Sequence, residues 1–175
     1  MKASNLLHPF IKEFESLHDG DLSKIGLQPK LDPTGNWTEG WGHLMTHNGK
    51  AMTVKDFPTQ KSILPFSKIK TVEDADRYFL IDLKEVEDGV NFKLKVKVSQ
   101  NKFDALVSHW YNCGFSSTMY KLVNSCAPEK DIKNWFTTKY ITSGGVYLKG
   151  LQFRRNDEYE IWANINYKRE YNLSI

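Results

Sequence analysis

An α+β fold, with short strands gathered near the N-terminus and helices after them, follows from three observations. Residues 30–51 hold two turn signals between short runs, Asp32-Pro33-Thr34-Gly35 and His47-Asn48-Gly49-Lys50, of the kind that close hairpins. From Thr71 to about Val90 the apolar residues follow one long 3.6-residue period. From Gln100 onward helical spacing recurs in further segments. Strands in one block and helices in another predict a segregated α+β architecture. A chain of 175 residues has room for a sizeable core or for two small lobes sharing a helix. The expected layout is one domain over 1–175. It has an N-terminal lobe over about 12–70, a connecting helix over about 71–90 and a C-terminal lobe over about 91–175. The first helix packs on the C-terminal lobe, and a cleft separates the lobes.

The elements justify this in order. Between His8 and His18, Phe10, Ile11, Phe14 and Leu17 form an apolar stripe, and Pro9 is tolerated in the first turn. Glu15 borders that stripe near the helix end, where partial desolvation and the negative end of the dipole favour the protonated form of a carboxyl group. The alternative is an exposed helix glutamate. Asp19-Gly20-Asp21 breaks the helix, and an irregular stretch runs through Gly26 and Pro29. Lys30 to His43 reads as short strands, and 51–70, with Pro58 and Pro65, as loop with short helical pieces. Thr71-Val-Glu-Asp74 is a capping box with Asp in place of Glu. Behind it Ala75, Tyr78, Phe79, Leu80, Leu83, Val86 and Val90 share a side. Gln100–Cys113 is an apolar helix closed by Gly114. Further helices are expected near 117–124, 129–139 and 151–164, separated by Ala127-Pro128 and Ser143-Gly144-Gly145.

Composition narrows the function classes. Hydrophobic content of 40% and charged content of 26% are those of a soluble globular protein. The 13% aromatic content serves the core first, and sugar-binding walls second. Net charge is +3, with no RGG run, zinc-finger spacing or RNP motif, which argues against nucleic acid as a partner. The basic run Lys93-Leu94-Lys95-Val96-Lys97 reads as a solvated strand or loop, or as a contact for an anionic polymer. Cys113 and Cys126 are read as free thiols, with a disulfide left open. No segment has signal-peptide or membrane-span form, so no stable membrane insertion is expected. The five histidines show no HExxH or Cys/His spacing, no cofactor motif is present, and there is no GxSxG elbow.

What remains is a pair of carboxylates and a hydroxyl: Glu15, Asp32 and Thr38. Cleaving a glycosidic bond needs one group that gives a proton and one that holds or activates water. Phe14-Glu15-Ser16, followed by Asp32 through His43, resembles the Phe-Glu-Gly and Asp-Pro-x-Gly-x-x-Thr-x-Gly-x-Gly-His pattern of the phage-type lysozymes, glycoside hydrolase family 24. Ala105–Gly114 resembles the family's Ala-Leu-x-Ser-x-x-Phe-Asn-x-Gly helix. Gly144-Gly145 and Gly150-Leu151-Gln152-Phe153-Arg154-Arg155-Asn156-Asp157-Glu158 match its Gly-Gly…Gly-Leu-x-x-Arg-Arg-x-x-Glu ending. Four blocks in the correct order cover about residues 8–165.

The resemblance implies a lysozyme-like fold and hydrolysis of the β-1,4 bond between N-acetylmuramic acid and N-acetylglucosamine in bacterial peptidoglycan, with inversion. It makes Glu15 the general acid, Asp32 the second carboxylate, and Thr38 the hydroxyl that helps place water. Leu44, Tyr111, Asn112, Ser117 and Asn134 fall where the family lines its saccharide path. Arg155, or Arg154, falls where a basic residue approaches the catalytic glutamate; an ion pair with Asp157 or Glu158 is the structural alternative. For Leu44 and Tyr111 that alternative is core packing, and for His43 a hydrogen bond that stabilises the hairpin is expected. A monomer is implied that needs no cofactor or metal. It would be made in the host cytoplasm and reach the wall through a separate holin-like pore, or be carried in the virion. Lytic transglycosylation, chitin cleavage and a non-catalytic wall-binding module are the competing readings.

Two departures from the pattern carry expectations. Sixteen residues separate Glu15 from Asp32, against about eight in the family, which leaves Asp19 and Asp21 as rival carboxylates. Only Asp32 keeps the six-residue step to Thr38. Glu39 replaces a usually apolar residue. Strand alternation puts it on the face opposite Thr38, solvated or salt-bridged, the alternative being a like-charged neighbour of Glu15.

Overall fold

The computed structural model describes residues 1–15, 27–32 and 34–170. Ser16, Asp19, Asp21 and Pro33, on which sequence expectations rest, lie outside the described residues. Two units emerge, one of Met1–Phe14 with Leu83–Ile175 and one of Glu15–Asp82.

The Glu15–Asp82 unit carries the strands. β1 (Lys30–Leu31), β2 (Trp37–Glu39) and β3 (His43–Leu44) form a three-stranded antiparallel sheet, pairing Lys30 with Thr38, and Thr38 with Leu44. β4 (Thr46–His47) and β5 (Lys50–Ala51) make a hairpin at the Asn48-Gly49 turn. α2 (Gln60–Ile63) and a 3-10 turn (Leu64–Phe66) follow. Alternation along β2 buries Trp37 and Glu39 and leaves Thr38 on the other face. Trp37 packs with Met45, Met52 and Ile63, and its Nε1 donates to the Phe57 carbonyl at 2.9 Å. A second cluster joins Ile69 and Ala75 with Trp41 and Tyr78. Between them Gly40 (φ +58°) lets the chain pass so close that a Cβ would lie 2.7 Å from Ile69 Cδ1.

α3 (Val72–Lys93) begins in this unit and ends in the other. Its predicted capping box is present: the Asp74 N–H donates to Thr71 Oγ1 at 3.1 Å, and the Thr71 N–H to Asp74 Oδ2 at 3.3 Å. The helix reaches Lys93, so only the later part of the basic run is loop.

The Met1–Phe14 and Leu83–Ile175 unit is helical. α1 (Leu7–Glu15) contributes buried Leu7, Phe10 and Ile11. α4 (Gln100–Cys113), α5 (Ser117–Asn124), α6 (Glu129–Thr138) and α7 (Lys149–Asn164) follow, with α7 packed along α4 and α6. α4 is the central helix: every residue from Phe103 to His109 is buried. Its Asp104 accepts hydrogen bonds from Ser4 Oγ, Gln100 Nε2 and Tyr167 Oη, tying both ends of the described chain to the middle of the fold. Gly114 closes α4 through a backbone bond to Trp110. The Ser143-Gly144-Gly145 separator is itself a hairpin of β6 (Thr142–Ser143) and β7 (Val146–Tyr147), too short to show a strand period. Both cysteines are free thiols.

Candidate active site

The β1–β2 turn is built around Asp32. Its Oδ1 accepts the Thr34 N–H at 2.8 Å, Thr34 Oγ1 at 2.8 Å and the Asn36 N–H at 2.9 Å, and its Oδ2 accepts Asn36 Nδ2 at 3.2 Å. Backbone bonds from Asp32 to Asn36 and from Gly35 to Asp32 close the loop. The sequence places donors at the second and fourth residues after the aspartate, and those donors reach back to it. Partial burial pushes the carboxyl group's pKa up, but the Asn36 and Thr34 hydrogen bonds together outweigh it and hold Asp32 below its ordinary value. Asp32 therefore stays ionised under mildly acidic conditions. Its charged form stabilises the fold above the unfolded value near 3.8, and that contribution is lost as pH falls through the lower folded value.

Thr38 sits midway along the sheet, and its hydroxyl reaches the Lys30 carbonyl at 3.4 Å. Across the sheet, Leu44 is exposed beside it.

Glu15, the last residue of α1, is half-buried. The β2–β3 turn meets it at Gly42 (φ +88°), where a Cβ would lie 3.0 Å from Glu15 Oε2 and 3.6 Å from Cδ. Glycine is required there twice over, by its left-handed backbone and by the carboxyl group against its Cα. The sequence marks Gly42 only as part of a motif, and the contact with Glu15 supplies the reason. His43, next along, holds the hairpin to α3: its Nδ1–H donates to the Asp82 carboxylate at 2.9 Å, and its ring lies 4.5 Å from that of Tyr78. Trp41 Nε1 donates to Asp76 at 2.6 Å. The hydrogen bond expected of His43 is present, but neither its Asp82 partner nor the Trp41–Asp76 pin is named in the sequence reading, because these partners lie more than thirty residues away.

One sequence expectation is corrected. Glu39 does face away from Thr38, but it is neither solvated nor salt-bridged among the described residues. It is 3% exposed and accepts Ser67 Oγ at 2.7 Å and the N–H groups of Lys68 and Ile69 at 3.1 and 3.2 Å. A carboxylate can be buried there because the 67–69 turn brings it three donors.

Arg155 takes the ion-pair alternative of the sequence reading. Its side chain is completely buried, donating to Cys113 Sγ, Asn112 Oδ1 and Glu158 Oε1 at 2.6, 3.1 and 2.8 Å. It exposes no surface to solvent and is ion-paired with Glu158. The same bond turns Asn112 Oδ1 inward. Tyr111 is half-buried, and Ser117 and Asn134 are exposed on α5 and α6.

A short hairpin sheet followed by a helical array is the lysozyme-like α+β fold, and solved structures share it. The endolysin from Escherichia coli O157:H7 phage FAHEc1 superposes with a TM-score of 0.71 at 29% identity, covering 96% of this chain and 97% of that one. A P22 lysozyme mutant gives a TM-score of 0.63 at 22% identity, over 92% and 97%. The phage lysozyme family model matches residues 22–158, and the chain belongs to that family. Asp32 and Thr38 lie within the matched span; Glu15 precedes it. Curated relatives include an endolysin of Bacillus phage B103, 39% identical over 49% of this chain and 34% of its own length. An endolysin of Acyrthosiphon pisum secondary endosymbiont phage 1 is 32% identical over 71% of this chain and 77% of its own. The chain spans about a third of the length of the first two curated relatives it matches.

Proposed function

We propose that this chain hydrolyses the β-1,4 bond between N-acetylmuramic acid and N-acetylglucosamine in bacterial peptidoglycan, with inversion at the anomeric carbon. The observation that carries this reading is the placement of two unlike carboxyl groups about one small sheet. Glu15 lies against the β2–β3 turn, and an ionised Asp32 heads the β1–β2 turn, with Thr38 on the strand between. Glu15 is the general acid that protonates the leaving oxygen. Asp32 spends Oδ1 on three turn donors and Oδ2 on one, which leaves Oδ2 the freer oxygen for water. Its lowered basicity suits it to orient water and to offset the positive charge on an oxocarbenium-like sugar, a role that needs little proton abstraction. Thr38 adds a second hydrogen-bonding group for that water. Leu44, Tyr111, Ser117 and Asn134 are proposed to face the glycan; Arg155, and Asn112 whose Oδ1 accepts from it, are withdrawn from that set.

The substrate implies action on the cell wall by a monomer, reached through a membrane lesion such as a holin-like pore. No helix among the described residues is long and apolar enough to cross a membrane. Purified walls supply the test: their turbidity should fall, with new reducing muramic acid ends in the α configuration by NMR. Absence of clearing sinks the hydrolytic reading, and anhydro-muramic ends by mass spectrometry would replace it with transglycosylation.

The Gly42 contact gives a second expectation. Gly42→Ala should cost about 1–2 kcal/mol from left-handed backbone strain and slow clearing by more than that loss of folded protein explains, because the new methyl displaces Glu15. Clearing rates normalised to the folded fraction from a thermal melt check it.

A further inference from the structure

The basic run at the end of α3 takes no part in the proposed hydrolysis, yet the fold holds it in place. The Lys95 N–H donates to Asn124 Oδ1 at 2.8 Å, and Asn124 Nδ2 donates to the Lys93 carbonyl at 3.0 Å, so α5 clamps the start of the 94–99 connection. Leu94, Val96 and Val98 are half-buried, while Lys95 and Lys97 are exposed. Phe92 is 74% exposed, with the Lys93 and Lys95 ammonium groups 5.3 and 6.0 Å from its ring centre. Lys93 lies also 4.7 Å from that of Phe115. Beside them runs a groove of about 840 Å³ whose lining includes Lys93, Phe115, Thr118, Lys121 and Ser125.

None of the ammonium groups of Lys93, Lys95, Lys97 and Lys121 is in a salt bridge with a described carboxylate. Lys84, earlier on α3, and Lys102, on α4, are paired with Asp88 and Glu129. Placing three cations on a fixed segment and a fourth, Lys121, on the adjacent α5, without counter-charges among the described residues, is unfavourable in the free protein and is offset when an anionic ligand covers them.

We propose that the Phe92–Lys97 segment and the groove beside α5 bind a phosphodiester-linked polyol polymer of the bacterial wall. Lysines suit phosphate as mobile point charges, the Thr118 and Ser125 hydroxyls suit a polyol backbone, and Phe115 offers a face for its carbons. The choice of a wall polymer among polyanions rests on the proposed action on walls. A membrane surface fits less well, since Leu94, Val96 and Val98 point inward and leave Phe92 without the broad apolar stripe of an interfacial helix. Ser117 lines the same groove, so the polymer site would adjoin a residue proposed to face the glycan. A second hold on the same wall would raise the local concentration of enzyme at its substrate.

The test measures binding of poly(glycerol phosphate) to the full chain carrying Glu15→Gln, by calorimetry over a range of salt. Lys95→Gln, Lys97→Gln and Lys121→Gln together should weaken binding at least about tenfold and flatten the log K against log salt slope by about 2. The three corresponding Lys→Arg changes should keep it. Removing the same charge at exposed Lys55, Lys61 and Lys70 should change affinity less than about twofold; an equal loss there would reduce the effect to net charge and overturn the proposal. So would absence of binding at low salt, binding of phosphatidylglycerol vesicles through these lysines without the polymer, or an equal loss toward phosphate-free glycan strands. Hydrolysis plays no part in these measurements, so a wild type that fails to clear walls would sink the catalytic reading alone.

Discussion

Glu15→Gln should leave the protein folded and lower the rate of wall clearing by about two to four orders of magnitude, the span associated with a positioned general acid. The glutamine keeps the volume of the side chain that Gly42 accommodates, so the β2–β3 turn has no reason to move. It removes the proton that the leaving sugar oxygen must receive. Two readouts separate chemistry from packing: thermal melts should agree within a few degrees, and sedimentation with insoluble walls should be retained while clearing is lost. Clearing at the wild-type rate would remove Glu15 from the mechanism. Asp32→Asn tests the other half of the pair. The amide can still accept from Thr34 and Asn36 through its oxygen, so the turn should persist while the charge is lost.

The largest stability effect is expected at Glu158. Residues Arg154 to Glu158 are all at most 3% exposed, although four of the five are charged. Glu158 Oε1 accepts from Ser108 Oγ at 2.7 Å, Arg155 Nη2 at 2.8 Å and Arg154 Nε at 3.3 Å, so one oxygen collects donors from α4 and α7. Glu158→Ala leaves the buried Arg155 guanidinium without its ion-pair partner and should cost about 3–5 kcal/mol. At the two to four degrees per kcal/mol typical of this size, Tm should fall by about 6–20 °C. The same guanidinium groups already act on their surroundings: burial first, then Arg155 and Arg154, hold His109 well below its ordinary pKa, so it is neutral between Trp135 and Tyr140. Replacing Arg155 and Glu158 together by apolar residues of similar size should cost less than the sum of the single changes, because neither charge is then stranded. Additive losses in a double-mutant cycle would show that the pair is not coupled.

These two sites mark how far the sequence could be read. The Asp32-to-Thr38 turn was legible because its bonds close within four residues and each donor is named by its position. The capping box at Thr71 and the Gly114 stop are local in the same way, and the reading of both agrees with the structure. Glu39 was half legible. Strand alternation gave its face, but its donors at Ser67, Lys68 and Ile69 are about thirty residues away. α7 defeats periodicity altogether, because it is buried around its middle turns and carries charges there. A hydropathy pattern assigns such residues to solvent, and only their partners on α4 make burial tolerable. The β6–β7 hairpin, with two residues in each strand, is shorter than any period that could announce it.

By itself the sequence determined the α+β order, the helix boundaries set by caps and glycines, and the turn from Asp32 to Thr38. All of these depend on interactions between residues close along the chain. Only the tertiary structure decided that Gly42 abuts Glu15, that Arg155 is buried and ion-paired with Glu158, and that four lysines near a clamped loop have no salt bridge among the described residues. Whether a charge is stranded, satisfied or left open to a ligand depends on which distant groups folding brings to it.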